Sequence, residues 1–115
     1  MLPDVLKAAQ KLEEEYRLSP EVIDLRTVAP WDVNSVLTSF KKTGVLVIAH
    51  KAVRHADLGA EIAATIYGQA LDYVDCEIAR VGSRFAPTPF APELERFVIP
   101  GEADVVEVTL KILVR

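Results

Sequence analysis

The chain has a single cysteine, Cys76, among its 115 residues, so it holds no internal disulfide. A lone thiol suits a reducing compartment. Glycine is also scarce: the five present are dispersed, leaving no Gly-rich loop to cradle a phosphate and no Gly-x-Ser-x-Gly nucleophile elbow. No Cys or His pair stands at metal-ligand spacing. No apolar run approaches the ~20 residues that a bilayer span requires, and Met1-Leu2-Pro3-Asp4 lacks the basic and apolar segments of a signal peptide. The expectation is a cytoplasmic protein without a membrane segment. The net charge is −4, with seventeen acids and thirteen bases spread along the chain, so a nucleic-acid partner is disfavoured.

Half of the residues are apolar and 26% are charged, the composition of one domain spanning residues 1–115. A chain of this size buries roughly two thirds of its unfolded surface, enough for a core without metal or disulfide. It is too short for a large complete enzyme. Any catalytic site is therefore small, shared with a partner chain or absent.

Val5, Leu6, Ala9, Leu12 and Tyr16 fall at helical spacing after Pro3-Asp4, with Lys7, Lys11 and Glu13 to Glu15 outside. The acidic run Glu13-Glu14-Glu15 is the solvated face of that helix. Glu21 to Arg26 is short, rich in branched residues and bounded by turn formers, which predicts a strand. Asp32 sits at a cap position, and Val33, Val36, Leu37 and Phe40 follow at i, i+3, i+4 and i+7, so a second helix closes at Lys41, Lys42 and Gly44. Val45 to Ala49 is apolar without alternation, as in a strand covered on both faces of a parallel sheet.

His50 to Asp57 then reads as a polar loop, and Leu58 to Leu71 as a helix buried on more than one side. Cys76 to Val81 reads as a third strand. Phe85 to Pro100 holds four of the seven prolines and reads as extended, with one helical turn around Glu93 to Arg96. From Asp104 on, Val105, Val106, Thr109, Ile112 and Leu113 share one face of a last helix. The alternation predicts an α/β fold: a three-layer, open, mostly parallel sheet with helices on both faces.

Two features invite a functional reading. His50-Lys51-Ala52-Val53-Arg54-His55 lies beyond a buried strand's carboxyl end, where ligands of open parallel sheets gather. It is either an anion or partner contact through Arg54 and His55, or a solvated loop whose histidines cap the next helix. Gly59, Ala60, Ala63 and Ala64 give a helix small enough for close approach, covered either by the domain's own long loop or by another subunit. Glu61 in that helix is a buried acid or an exposed neighbour of the loop. Cys76 reads as a small core residue and not as a nucleophile.

Several segments resemble the C-terminal domain of the beta subunit of thiamine-diphosphate-dependent 2-oxo acid dehydrogenases, the transketolase C-terminal fold. The matching pieces are Glu21 to Thr27 with Pro30-Trp31-Asp32, Lys42-Thr43-Gly44, and Gly59-Ala60-Glu61-Ile62-Ala63. Arg80-Val81-Gly82, Pro87-Thr88-Pro89-Phe90 and Leu94-Glu95 up to Pro100 follow in the same order. Trp31 and Ala52-Val53-Arg54-His55-Ala56 are closer to the branched-chain type than to the pyruvate type.

The resemblance implies that thiamine diphosphate and Mg belong to the full enzyme and that this chain alone binds neither. It carries no catalytic or metal residue onto this chain. It implies subunit contacts with an alpha subunit and a second beta subunit, and docking to the acyltransferase core. Contact candidates are Arg54, His55, Gly59, Ala60, Ala63, Ala64 and Arg115. The family's two strands before the first helix have no counterpart here, which predicts a fragment whose Val22–Leu25 and Val45–Ala49 segments are either paired directly or separated by an unfilled slot. Two alternatives stand beside this reading: a stand-alone domain that binds a small anion or regulates, and the same domain of an acetoin or pyruvate dehydrogenase.

Overall fold

A computed structural model describes residues 1–27, 29–84 and 90–113. Helix α1 spans Leu2–Tyr16 and buries Ala8 and Leu12. It closes at Arg17, whose φ is 57°, with the Leu18 N–H donating to the Leu12 carbonyl at 3.1 Å. The Arg17 N–H reaches the same carbonyl, so both bonds gather on Leu12 and close the last turn.

Helix α2 spans Val33–Thr43. Asp32 caps it by accepting from the Ser35 N–H at 3.1 Å and the Ser35 hydroxyl at 2.6 Å. Gly44 ends it at φ 71°, its N–H bonded to the Phe40 carbonyl at 2.7 Å. A side chain at Gly44 would also strike the Asp75 carboxylate, so both the backbone angle and the close approach select glycine.

Strand β1, Val47–Val53, leads into helix α3, Leu58–Ala70, then a 3-10 turn, Leu71–Tyr73, and strand β2, Ala79–Ser83. The strands pair in parallel, Val47 opposite Ala79 and Ala49 opposite Val81, with α3 as the crossover. The register slips between Ala49 and Val53, where β1 carries three residues against the single Gly82. Helices α4, Pro92–Val98, and α5, Glu102–Leu113, complete the order.

Alternation along β1 sorts two cores onto the sheet's opposite faces. Leu46 and Ile48 pack with Val36 and Phe40 of α2 and Ile62 and Ile66 of α3. Val47 and Ala49 pack with Ala8 and Leu12 of α1 and Val105 and Val106 of α5. The result is the three-layer α/β arrangement that the alternation of elements implies.

Local differences from the sequence reading have physical causes. Residues 21–26 form no strand; Arg26 takes φ 58°, and Glu21 is drawn to α2 by the Lys42 ammonium at 2.7 Å. A branched segment becomes a strand only beside a partner edge, and β1 does not reach it. Between them lies the slot, a cavity of about 690 Å³ walled by Leu12, Val22, Phe40, Val47, Ala49 and Val105.

Strand β1 continues through His50 to Val53, so the polar loop begins only at Arg54. The bulge holds this extension, with the Ser83 hydroxyl donating to the Lys51 carbonyl and the Arg54 N–H to the Ser83 carbonyl at 3.2 Å. β2 starts at Ala79, three residues after Cys76. Pro92 opens α4, a seven-residue helix and not a single turn, because proline's fixed φ suits a first helical position. α5 begins at Glu102, two residues earlier than Asp104; the Asp104 carboxylate accepts the Gly101 N–H at 2.8 Å. Phe85, Pro87, Thr88, Pro89 and Arg115 lie outside the described residues.

Candidate functional site

The polar cluster with the most internal bonding stands where the β1 bulge meets the start of α3. Asp57 is the N-cap of α3, accepting the Ala60 N–H at 2.8 Å. The same oxygen accepts from Arg80 Nη1 at 3.1 Å, and Arg80 Nη1 also donates to the Arg54 carbonyl at 3.0 Å. The second Asp57 oxygen faces His50 Nε2, and both atoms are shut off from water. His50 Nδ1 lies 3.0 Å from the Ala52 carbonyl. One carboxylate thus ties together β1, β2 and α3.

Two glycines make room for the imidazole. A Cβ at Gly59 would come within 3.0 Å of His50 Nε2, and one at Gly82 within 2.8 Å of His50 Cε1 and 3.0 Å of the Ala52 carbonyl. The bulge turns His50 into this gap, a usual effect of an extra residue in a strand.

The Asp57 side chain is only 6% exposed, and burial works to raise its carboxyl pKa. The Ala60 N–H, the His50 ring and the Arg80 guanidinium outweigh burial and hold it below the ordinary carboxylate range. Chemically the cluster is a clamp. Both His50 nitrogens face oxygen acceptors, so neither offers a lone pair to a substrate.

Of the sequence candidates, Arg54 and His55 are exposed at the corner between β1 and α3. Gly59 is buried against His50, and Ala63 joins the core with Val36 and Phe40. Ala60 is half-buried and Ala64 exposed, so the small residues divide between the interior and the surface. Glu61 is exposed, which settles the choice left open by the sequence. Cys76 is half-buried in the turn before β2. Asp57 and Arg80 are the residues that sequence reasoning missed; the available signal was an aspartate three residues before Ala60 at the head of a strongly helical run.

Among the described residues, no group of three or more His, Cys, Asp or Glu is assembled to hold a metal ion. The carboxylate of Asp57 also closes the N-terminus of α3, the position at which a helix would otherwise favour a diphosphate. These residues do not fit magnesium or thiamine diphosphate. No helix among the described residues is long and apolar enough to cross a membrane.

A parallel pair with helices on both faces, entered through α1 and closed by α5, defines the class; residues 1–105 match the family model for the transketolase C-terminal domain, and the chain belongs to that family. It is 40% identical over 107 residues to the pyruvate dehydrogenase E1 component subunit beta of Rickettsia felis, covering 93% of this chain and 32% of that protein. The mitochondrial pyruvate dehydrogenase E1 component subunit beta of Saccharomyces cerevisiae is 37% identical over 109 residues, 94% of this chain and 30% of the relative. The mitochondrial 2-oxoisovalerate dehydrogenase subunit beta of Dictyostelium discoideum is 42% identical over 96 residues, 84% of this chain and 25% of the relative. The chain therefore spans about a third or less of the length of these relatives, and identity does not choose between the two substrate types.

Proposed function

We propose that this chain is the C-terminal assembly domain of the beta subunit of a 2-oxo acid dehydrogenase's decarboxylase component, with no turnover of its own. Its partners in this reading are an alpha subunit, a second beta subunit and the acyltransferase core, in the cytoplasm. Thiamine diphosphate and magnesium belong to other parts of that assembly, in keeping with donors here that suit neither.

The observation that carries the reading is the slot beside β1. Among the described residues β1 pairs with β2 along one edge, and its other edge looks into a cavity of about 690 Å³ between α1, α2 and α5. Such an edge is a template for another strand. A strand set there would lie ~4.8 Å from β1 and bury side chains against both cores. In this reading the strand comes from the part of the beta subunit that precedes the matched region, in keeping with the family membership and the relatives' greater length.

The corner carrying Arg54 and His55 is the proposed partner contact, exposed on a rigid clamp. The test is to incubate the purified chain with a 2-oxo acid, thiamine diphosphate and magnesium, alone and with the alpha subunit and the remainder of a beta subunit. The reading predicts carbon dioxide release only in the complete mixture, with the chain co-eluting with its partners on size exclusion. Turnover by the chain alone, or separate elution, would overturn it.

A further inference from the structure

We infer that residues 21–26 are a strap that exchanges between the position seen here and the free edge of β1, closing the slot from within the chain when no other strand fills it. Val22, Ile23 and Leu25 on one side and Val47, Ile48 and Ala49 on the other wall the same cavity of about 690 Å³. Leu25 already rests on the core that Leu46 and Ile48 share with Phe40, whereas Ile23 is 39% exposed. An apolar gap of this size denies its lining the contacts that a filled interior provides, so both walls gain by meeting.

The strap is weakly held where it stands. Among the described residues, no amide of residues 21–26 donates to a backbone carbonyl. Its anchors lie on the surface: the Glu21 carboxylate pairs with the Lys42 ammonium at 2.7 Å and accepts from the Ser39 hydroxyl at 3.3 Å, and Arg26 meets Asp24 at 3.4 Å. Exposed pairs of this kind contribute little. Arg26 sits at φ 58°, a left-handed conformation that costs a residue with a Cβ free energy and that an extended strand would relieve.

Topology permits the closure. The chain between Leu25 and Val47 contains α2, the helical crossover that two parallel neighbours require, so residues 22–25 beside β1 would complete a β–α–β unit around a helix that already packs with Leu46 and Ile48. Closing a slot one strand wide takes a shift of ~4.8 Å, one inter-strand spacing. Residues 17–27 lie in no helix or strand, which leaves backbone free to supply it. In the assembly proposed above, the incoming strand and the strap compete for one edge. That use rests on the proposed function, whereas the exchange belongs to the chain alone and is tested there.

The experiment is ¹⁵N and ¹³Cα relaxation dispersion on the full labelled chain, which reads exchange on the microsecond-to-millisecond scale. The expected result is dispersion at residues 22–25 and 47–49 described by one rate and one population, with minor-state ¹³Cα shifts of residues 22–25 at strand values. Successive strand amides face opposite edges, so either Ile23→Pro or Asp24→Pro removes a donor that would face β1. Neither costs the observed form a backbone hydrogen bond, and one of the two should abolish the dispersion at residues 47–49. Flat profiles at either segment of the unsubstituted chain, unequal rates, or a minor state without strand shifts overturns the strap without needing any variant to fold. Dispersion that survives both substitutions also overturns it. Each of these results leaves insertion of a separate strand standing, because that is read from a mixture with the rest of the beta subunit.

Discussion

Removing the Asp57 carboxylate is the perturbation whose cost the structure lets one work out most fully. In Asp57→Ala, α3 loses its N-cap bond from Ala60, a change of about 1 kcal/mol. Arg80 and His50 each lose a charged partner inside the fold. A hydrogen bond to a charged group contributes about 1.5–3 kcal/mol, but side chains that are 30% and 22% exposed regain some water, so about 1 kcal/mol each is the better figure. The total is about 3 kcal/mol, a large fraction of a small domain's stability. With a urea slope of about 1.5 kcal/mol/M, the unfolding midpoint should fall by about 2 M. Asp57→Asn keeps an oxygen for Ala60 and loses only the charge, so it should fall between the variant and the parent. Asp32→Ala removes the other aspartate cap, on a fully solvated helix end, and should cost less than Asp57→Ala. The measurement is urea unfolding followed by circular dichroism. A loss below about 1 kcal/mol for Asp57→Ala, or one no larger than for Asp32→Ala, would refute the clamp.

Three further outcomes follow from other parts of the fold. Because the folded-state Asp57 pKa is depressed, its contribution to stability is complete above the ordinary carboxylate value of about 4 and is lost as pH falls through the depressed one; urea midpoints against pH should drop steeply in that acid range and less steeply in Asp57→Asn. Gly44→Ala forces a Cβ into the left-handed region and against the Asp75 carboxylate, and should lower stability by more than about 1 kcal/mol, read as a fall in thermal midpoint. Phe40→Ala empties the centre of the α2–α3 core, where Phe40 is 1% exposed, and should cost about 3–5 kcal/mol, so that the variant loses its cooperative unfolding transition near room temperature.

What the sequence could reveal depended on whether the cause was local. Helix α2 was legible from end to end, because Asp32, the Val36–Phe40 stripe, Lys41, Lys42 and Gly44 all act within one turn of the position they specify. The apolar run before His50 announced a strand covered on both sides, and Leu58 opened α3 where its pattern begins. The segment Glu21 to Arg26 has strand propensity but no neighbour to pair with, and propensity is silent about neighbours. His50 to Val53 continues β1 because Ser83 and Gly82, some thirty residues away, accept the bulge. The same distance hid the clamp. His50, Asp57 and Arg80 carry no spacing motif, and only the β1–α3–β2 crossover brings them together. Arg54 and His55 were legible as an exposed polar corner, while half of the small-residue stripe proved to be interior packing around His50 and Phe40.

The central claim is that the slot beside β1 receives a strand from the segment that precedes the matched region in beta subunits. Hydrogen exchange at residues 47–49, measured on the chain alone and after mixing with that separately produced segment, tests it most directly. The account predicts that the β1 amides gain protection in the mixture by about tenfold or more as their free edge becomes paired. Unchanged exchange at residues 47–49 in a mixture that demonstrably associates would contradict it.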